Sequence, residues 1–275
     1  MATTDEIIKK WTASRRAGNK LLAGSMDYIL NARSKHIRSQ LAFQLGSDLS
    51  ADTGSDAFEA LIVSVELMHS ASLIIDDLPA MDNADMRRGK KAHHMVFGEG
   101  STILTAMDMV ASAFETVSFS PALTQGLADA LHDLCAGQYE DINGGETDTE
   151  SVLRIHRRKT GALFAYAFQG VGILSGMGPG RLDLLCSAGE ELGIVFQLMD
   201  DLLDKTVTAE EAGKDTGKDS GRYVHADDTV MLKSTVEAGF ANIEKALEGA
   251  GLNGSALSDT VFMMKKDYYD RLQNS

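Results

Sequence analysis

The stretch LIIDDLPAMDNADMRRG, residues 73–89, closes an apolar run with four aspartates in ten positions and sets two arginines directly beside them. Carboxylates gathered at a helix C-terminus repel one another and face the negative end of the helix dipole, so the arrangement invites a cation. On an unbroken helix Asp82 would lie about 240° around the axis from Asp76. Pro79 interrupts the hydrogen bonding that would hold that register. The segment therefore reads as a helix end followed by a loop that turns Asp82 back toward Asp76.

A second acidic cluster, FQLMDDLLD at residues 196–204, closes another apolar helix whose Leu185, Leu192, Val195, Phe196 and Met199 are expected to point inward. At about 100° per residue Asp200 and Asp204 lie only about 40° apart, with Asp201 on the shoulder. Either cluster alone reads as a solvated helix end. Two of them, each after an apolar run, read as a magnesium site, because Mg²⁺ takes one or two carboxylates and shares the rest of its shell between water and substrate phosphates.

Working outward, the 275 residues contain three prolines, Pro79, Pro121 and Pro179, and are rich in helix formers. No run of β-branched alternation bounded by turns appears, so the chain is predicted to be all-α. Breaks are expected at residues 46–56, 118–126, 142–151 and 175–181. The helices between them suit a bundle around a deep central cavity, built as one domain over 1–275. The long polar segment from Lys205 to Asp228 is the candidate lid.

The formal charge of −14 argues against nucleic acid, but not against a phosphate ester whose charge metals and a few basic groups reverse locally. Cys135 and Cys186 lack metal-ligand spacing and are expected to be buried small hydrophobes. MATTDEIIKKW at the start carries acids and no apolar core, and a cytoplasmic location is expected. The uncharged run from Ala162 to Gly180, broken by glycines and Pro179, reads as a buried helix plus loop, and no transmembrane segment is expected.

Together these residues resemble the trans-prenyl diphosphate synthase family, in texture the bacterial geranylgeranyl diphosphate synthases of carotenoid pathways. DDLPAMDNADMRRG is similar to the longer form of the family's first aspartate-rich motif, with four residues between the Asp pair and the last Asp. GQYEDI (137–142), KTGALF (159–164), FQLMDDLLD (196–204) and AGKDTGKD (212–219) resemble the later blocks in order. The resemblance implies an isoprenoid synthase-like fold, Mg²⁺ at three ions per site, and alkylation of isopentenyl diphosphate by an allylic diphosphate (dimethylallyl, geranyl or farnesyl). It places Asp76, Asp82 and Asp200 on the metals with Asp77, Asp201 and Asp204 in support. Arg87, Lys159 and Lys214 would grip the allylic diphosphate, and Thr160 and Gln197 would lie beside the carbocation.

The resemblance also implies a metal-free basic cradle for isopentenyl diphosphate. The family builds it from a Gly-Gly-Lys-Arg-x-Arg-Pro segment, a helical His or Gln and the second arginine of the RRG triplet. Here the segment reads RSKHIRS, residues 33–39: Lys35 and Arg38 match, while His36 stands where the family has arginine. His69 and Arg88 complete the set. Without the resemblance Lys35 and Arg38 read as surface charges; His69 alone would read as a core histidine, but its place about 20° from the face of Asp76 favours a functional role. His94 resembles a family histidine and is given no role.

Product length is read from the helix that carries the first motif. Ala71 and Ser72, about one turn deeper than Asp76, are small, and Met68 a turn further down is flexible. A geranylgeranyl product is expected, with farnesyl or longer chains as the alternative. A class I terpene cyclase, a non-catalytic regulatory subunit and a plain metal-binding scaffold are the other readings. A homodimer is implied by resemblance alone.

Overall fold

The computed structural model describes residues 3–15, 20–32, 34–143, 148–206 and 229–274. They divide into two compact units, 1–128 and 129–275. Among the described residues the all-α expectation holds apart from one two-stranded hairpin, β1 (Met86–Arg87) and β2 (Lys90–Lys91).

Unit 1 is organised on α4 (Asp56–Asp76). Ser55 caps it by accepting a hydrogen bond from the Phe58 N–H at 3.2 Å, and Asp56 and Glu59 in its first turn suit the positive end of the dipole. From Phe58 to Ile74 the helix is apolar nearly all round, which only a helix covered on several sides tolerates. It packs against α6 (Glu99–Val117), and α1 (Thr4–Arg15), α2 (Lys20–Leu30) and α3 (Ile37–Asp48) also contact it. By length and composition α4 could cross a membrane, yet 67% of its most apolar window is buried inside the protein. The short α5 (His93–Phe97) is pinned by a buried histidine: His93 Nδ1 lies 2.7 Å from the Thr102 hydroxyl and Nε2 lies 2.9 Å from that of Ser25. Burial holds His93 below its ordinary pKa.

α7 (Pro121–Asn143) carries the chain into unit 2. There α8 (Thr149–His156), a π-turn at Arg157–Gly161 and α9 (Ala162–Leu174) form one continuous helical run. α10 (Pro179–Thr206) follows, then α11 (Thr229–Gly249) and α12 (Ala256–Asn274). Pro121 and Pro179 occupy first helical positions, where a missing N–H costs nothing. α10 approaches the π-turn and α9 through glycines. A Cβ on Gly189 would stand 2.6 Å from the Phe164 carbonyl oxygen, and one on Gly193 2.6 Å from the Gly161 Cα.

The expected breaks near 46–56, 118–126 and 175–181 coincide with helix ends. Leu185, Leu192 and Val195 are buried, while Phe196 and Met199 are half-buried. The cysteine expectation needs correction: Cys135 is exposed and Cys186 half-buried, because α7 turns Cys135 outward and Cys186 sits beside Glu190. The candidate lid after Thr206 lies outside the described residues.

Candidate active site

The chain turns back after α4 as the proline requires. The Asp82 N–H donates to the Asp76 carbonyl at 2.8 Å, and Asn83 and Ala84 donate to Leu78 and Asp77 at 3.0 and 3.2 Å. Asn83 takes the left-handed conformation, φ 52°, that such a tight return demands. Asp76 and Asp82, both half-buried, are thus brought together through the backbone. Asp77 is fully buried. Arg87 donates to one of its oxygens twice, from Nε at 2.8 Å and Nη2 at 2.6 Å.

The hairpin separates the two arginines of the RRG triplet. Arg88 and Gly89 form its tip with φ 52° and 74°, and two successive positive φ values are what a two-residue hairpin loop of type I′ needs. Arg87, on β1, serves Asp77. Arg88, on the tip, lies within electrostatic reach of Glu66, Arg38 and His69, and Arg38 likewise feels Glu66.

These groups crowd one another electrostatically. Burial, partly offset by Glu66 and reinforced by Arg88, pushes Arg38 down to about 10. Arg88 is lowered by burial first and by Arg87 as well. Burial, followed by the charges of Arg38, Arg88, His36 and Arg87, holds His69 well below its ordinary value, so at neutral pH its ring is uncharged and keeps one N–H to donate. Perturbed groups of this kind cluster at functional sites. Lys35 is exposed at the approach to α3.

Unit 2 assembles the remaining candidates around the π-turn, a distortion that recurs at functional sites. Gly137 on α7 and Gly161 let neighbours close on it: a Cβ on Gly137 would stand 2.9 Å from the Lys159 backbone nitrogen. Lys159 Nζ donates to Asp141 at 2.5 Å. The Thr160 hydroxyl donates to Gln197 Oε1 at 3.3 Å, and Gln197 Nε2 donates to Asp201 at 2.9 Å. Because a carboxylate only accepts, Asp201 fixes which way the Gln197 amide faces. Its other oxygen lies 3.1 Å from His156 Nε2, with both side chains nearly buried. Asp200 is exposed one residue away. α10 runs unbroken past Asp204, as the one-turn spacing requires, but the Asp204 side chain and all of Lys214 lie outside the described residues.

Among the described residues no three His, Cys, Asp or Glu side chains converge as a closed metal site. Within each unit the donor chemistry suits magnesium, since Asp76 and Asp82 in one and Asp200 in the other offer only oxygens.

The family model described as polyprenyl synthetase matches residues 19–223. The chain belongs to that family. It is 34% identical over 203 residues to the geranylgeranyl diphosphate synthase of Pseudescherichia vulneris, covering 70% of this chain and 65% of that one. It is 32% identical over 262 residues to the farnesyl diphosphate synthase of Geobacillus stearothermophilus, covering 89% and 88%. The match spans less than two thirds of the length of several geranylgeranyl diphosphate synthases. Among solved structures, a geranyltranstransferase of Thermotoga maritima superposes with a TM-score of 0.78 at 28% identity, covering 98% of this chain and 96% of that one. The isoprenoid synthase fold expected of a polyprenyl synthetase is thereby shown.

Three site residues escaped the sequence. Glu66 had a signal: it is the lone charge in the run from Ala60 to Leu67, and a buried charge demands a partner. Asp141 lies in the quoted GQYEDI block, but nothing local pairs it with Lys159. His156 carries no local sign of its contact with Asp201.

One of these contacts has a pH signature. Burial alone would lower the His36 pKa, but hydrogen bonds and charge from Glu66, with Asp5 behind it, raise it above 6.5. A histidine raised on folding contributes stability that is fully present below its unfolded pKa and is lost as pH rises through the folded one. The stability difference between wild type and His36→Asn should therefore be largest below about pH 6.5 and shrink in alkali. Urea unfolding of both proteins across this range measures it; a difference that grows with pH would contradict it.

Proposed function

We propose that this polyprenyl synthetase is a short-chain trans-prenyltransferase that joins isopentenyl diphosphate to an allylic diphosphate. The observation that carries the proposal is the division of the arginine pair. Arg87 spends its hydrogen bonds on Asp77 of the aspartate-rich turn, while Arg88 at the tip shares its field with Glu66, Arg38 and His69. The triplet thus links a group of carboxylates to a group dominated by basic side chains. Family membership and the named relatives support the same reading.

In the reaction the allylic C–O bond breaks, its electron pair leaves with diphosphate, and the alkene of isopentenyl diphosphate attacks the cation to form a C–C bond. The proton lost from the adjacent methylene goes to the released diphosphate. Magnesium, three ions by family resemblance, supplies positive charge for the leaving group when bound, held by Asp76, Asp82 and Asp200 with Asp204 in support. Lys159, held by Asp141, and Arg87, held by Asp77, contribute preorganised charge to the allylic diphosphate, with Lys214 completing the set. Thr160 and Gln197, oriented by Asp201, offer oxygens to the cation. Arg38, Arg88, Lys35 and neutral His69 bind the second diphosphate and orient its alkene.

The product is proposed to be geranylgeranyl diphosphate. Ala71 and Met68 are buried within α4 and Ser72 spends its hydroxyl on the His69 carbonyl at 2.9 Å, so that stretch presents no rigid aromatic stop. A homodimer is proposed as well. Ile103, Leu104 and Met107 form an exposed apolar stripe on α6, with Met107 63% exposed, where a monomer would be expected to carry polar residues.

Incubation of the protein with isopentenyl and farnesyl diphosphates should yield geranylgeranyl diphosphate only with Mg²⁺ present. Asp76→Ala or Asp200→Ala should lower kcat by about a hundredfold or more; full turnover in either variant would defeat the assignment. Ala71→Phe, if circular dichroism shows it folded, should shorten the main product to farnesyl diphosphate on chromatography. Light scattering should find a dimer in the wild type and a monomer in the double variant Leu104→Glu, Met107→Glu.

A further inference from the structure

The segment at residues 33–39 departs from the family pattern at positions 33, 34, 36 and 39, and two of these residues, His36 and Ser39, turn to the same buried group. His36 Nδ1 lies 2.8 Å from one oxygen of Glu66, and the Ser39 hydroxyl donates a hydrogen bond to the other. The second ring nitrogen of His36 lies 3.1 Å from Asp5 on α1. The Glu66 side chain is 3% exposed and that of His36 8%.

An ionised carboxylate accepts hydrogen bonds and has none to give. With a carboxylate at each ring nitrogen, both nitrogens must carry a proton, and His36 is an imidazolium with neither N–H to spare. It has no donor left for a phosphate oxygen. Glu66 in turn has both oxygens taken. The backbone is over-determined at the same point, because His36 holds φ 46° and ψ 40°, a left-handed conformation that costs about 1 kcal/mol or more and persists only where contacts enforce it. Arg38 lies between the two anchored residues, in the first turn of α3, and its charge is felt by Glu66, as is that of Arg88.

We infer that Glu66 is the positioning residue of the isopentenyl diphosphate cradle, and that His36 and Ser39 are its struts and not ligands of the diphosphate. The inference rests on the two-substrate reading above. Glu66 sets the start of α3, and thereby the place of Arg38, while its charge offsets part of the repulsion between Arg38 and Arg88. The arginine that the family carries at position 36 has been replaced by a group that braces the cradle from inside. The diphosphate contacts then fall to Arg38, Arg88, His69 and Lys35.

A double-mutant cycle separates strut from ligand. Steady-state kinetics are measured on the full chain as wild type, Glu66→Gln, His36→Asn and the double variant, asparagine being chosen because it tolerates the left-handed backbone. Each single change should raise KM for isopentenyl diphosphate about tenfold, the scale of one charge-assisted hydrogen bond, and leave kcat and the allylic KM within about twofold. The double variant should be no worse than Glu66→Gln alone, since a strut without its anchor has nothing further to lose. Multiplying penalties would make His36 an independent ligand and overturn the inference, as would equal losses in kcat and in both KM values. If Glu66→Gln unfolds, the cycle is run on Ser39→Ala and His36→Asn, which share the same anchor and should likewise be non-multiplicative. Wild type that fails to consume isopentenyl diphosphate would overturn the proposed function itself, whereas active wild type with multiplying penalties would overturn only the role of Glu66.

Discussion

An ionised carboxylate in the middle of an apolar helix is the constraint on which unit 1 depends. Glu66 is 2% exposed and is flanked along α4 by Val65, Leu67 and Met68, so its charge has no water to lean on. A buried charge of this kind is tolerated only with partners and hydrogen bonds. His36, Ser39, Arg38 and Arg88 meet that demand from two other segments of the chain. Hydrophobic burial brings α4 into the core, but Glu66 selects which loops gather around it. Burial would raise its pKa, yet the pKa falls, because the hydrogen bond and charge of His36, the Ser39 hydrogen bond and the charge of Arg38 together outweigh desolvation.

The hairpin at residues 86–91 extends this logic toward the acidic turn. Adjacent residues of an extended strand face opposite ways, and a left-handed tip adds a further turn of the chain. Two neighbouring arginines can therefore be directed to different partners: Arg87 hydrogen-bonds Asp77, while Arg88 feels the charge of Glu66 first and that of Asp77 as well. Gly89 at φ 74° makes the tip cheap, while Arg88 at φ 52° bears the strain of a non-glycine residue in that region. Strain at a residue that also faces several like charges is commonly kept where it serves binding.

Much of this architecture was legible in the sequence because its causes are local. Proline at 79, 121 and 179 marks helix boundaries by removing a donor, and the return of Asp82 toward Asp76 follows from the same chemistry. The all-α class follows from propensity and the lack of alternation. What stayed hidden depends on partners distant along the chain. Nothing near Asp77 says that Arg87 will take its carboxylate, nothing near Asp201 announces His156, and the π-turn at Arg157–Gly161 arises where glycines let α7 and α10 crowd one turn of helix. Cys135 looked buried by composition and proved exposed, because a single small residue carries too little area to decide which face of a long helix turns inward.

The two sets of basic groups differ in how their charge is balanced, and that difference bears on which diphosphate each would hold. In unit 2, Lys159 lies against Asp141, Arg154 and Arg158 against Glu140, and Arg157 against Glu190. A diphosphate arriving there meets cations already matched by carboxylates, and it needs additional positive charge to bind well. In the cradle, Arg38, Arg88 and His36 lie in the field of Glu66, with Asp5 beside His36 and Asp77 acting on Arg88, and the repulsion of Arg88 on Arg38 and of both on His69 is present before any ligand arrives. Binding a polyanion relieves that repulsion directly, and no metal is required to reverse the sign of the site. A prenyltransferase needs this asymmetry. The allylic diphosphate must depart, so its charge is best stabilised by ions that strengthen their hold as the bond breaks, whereas the diphosphate of the second substrate must stay attached and has only to be held still.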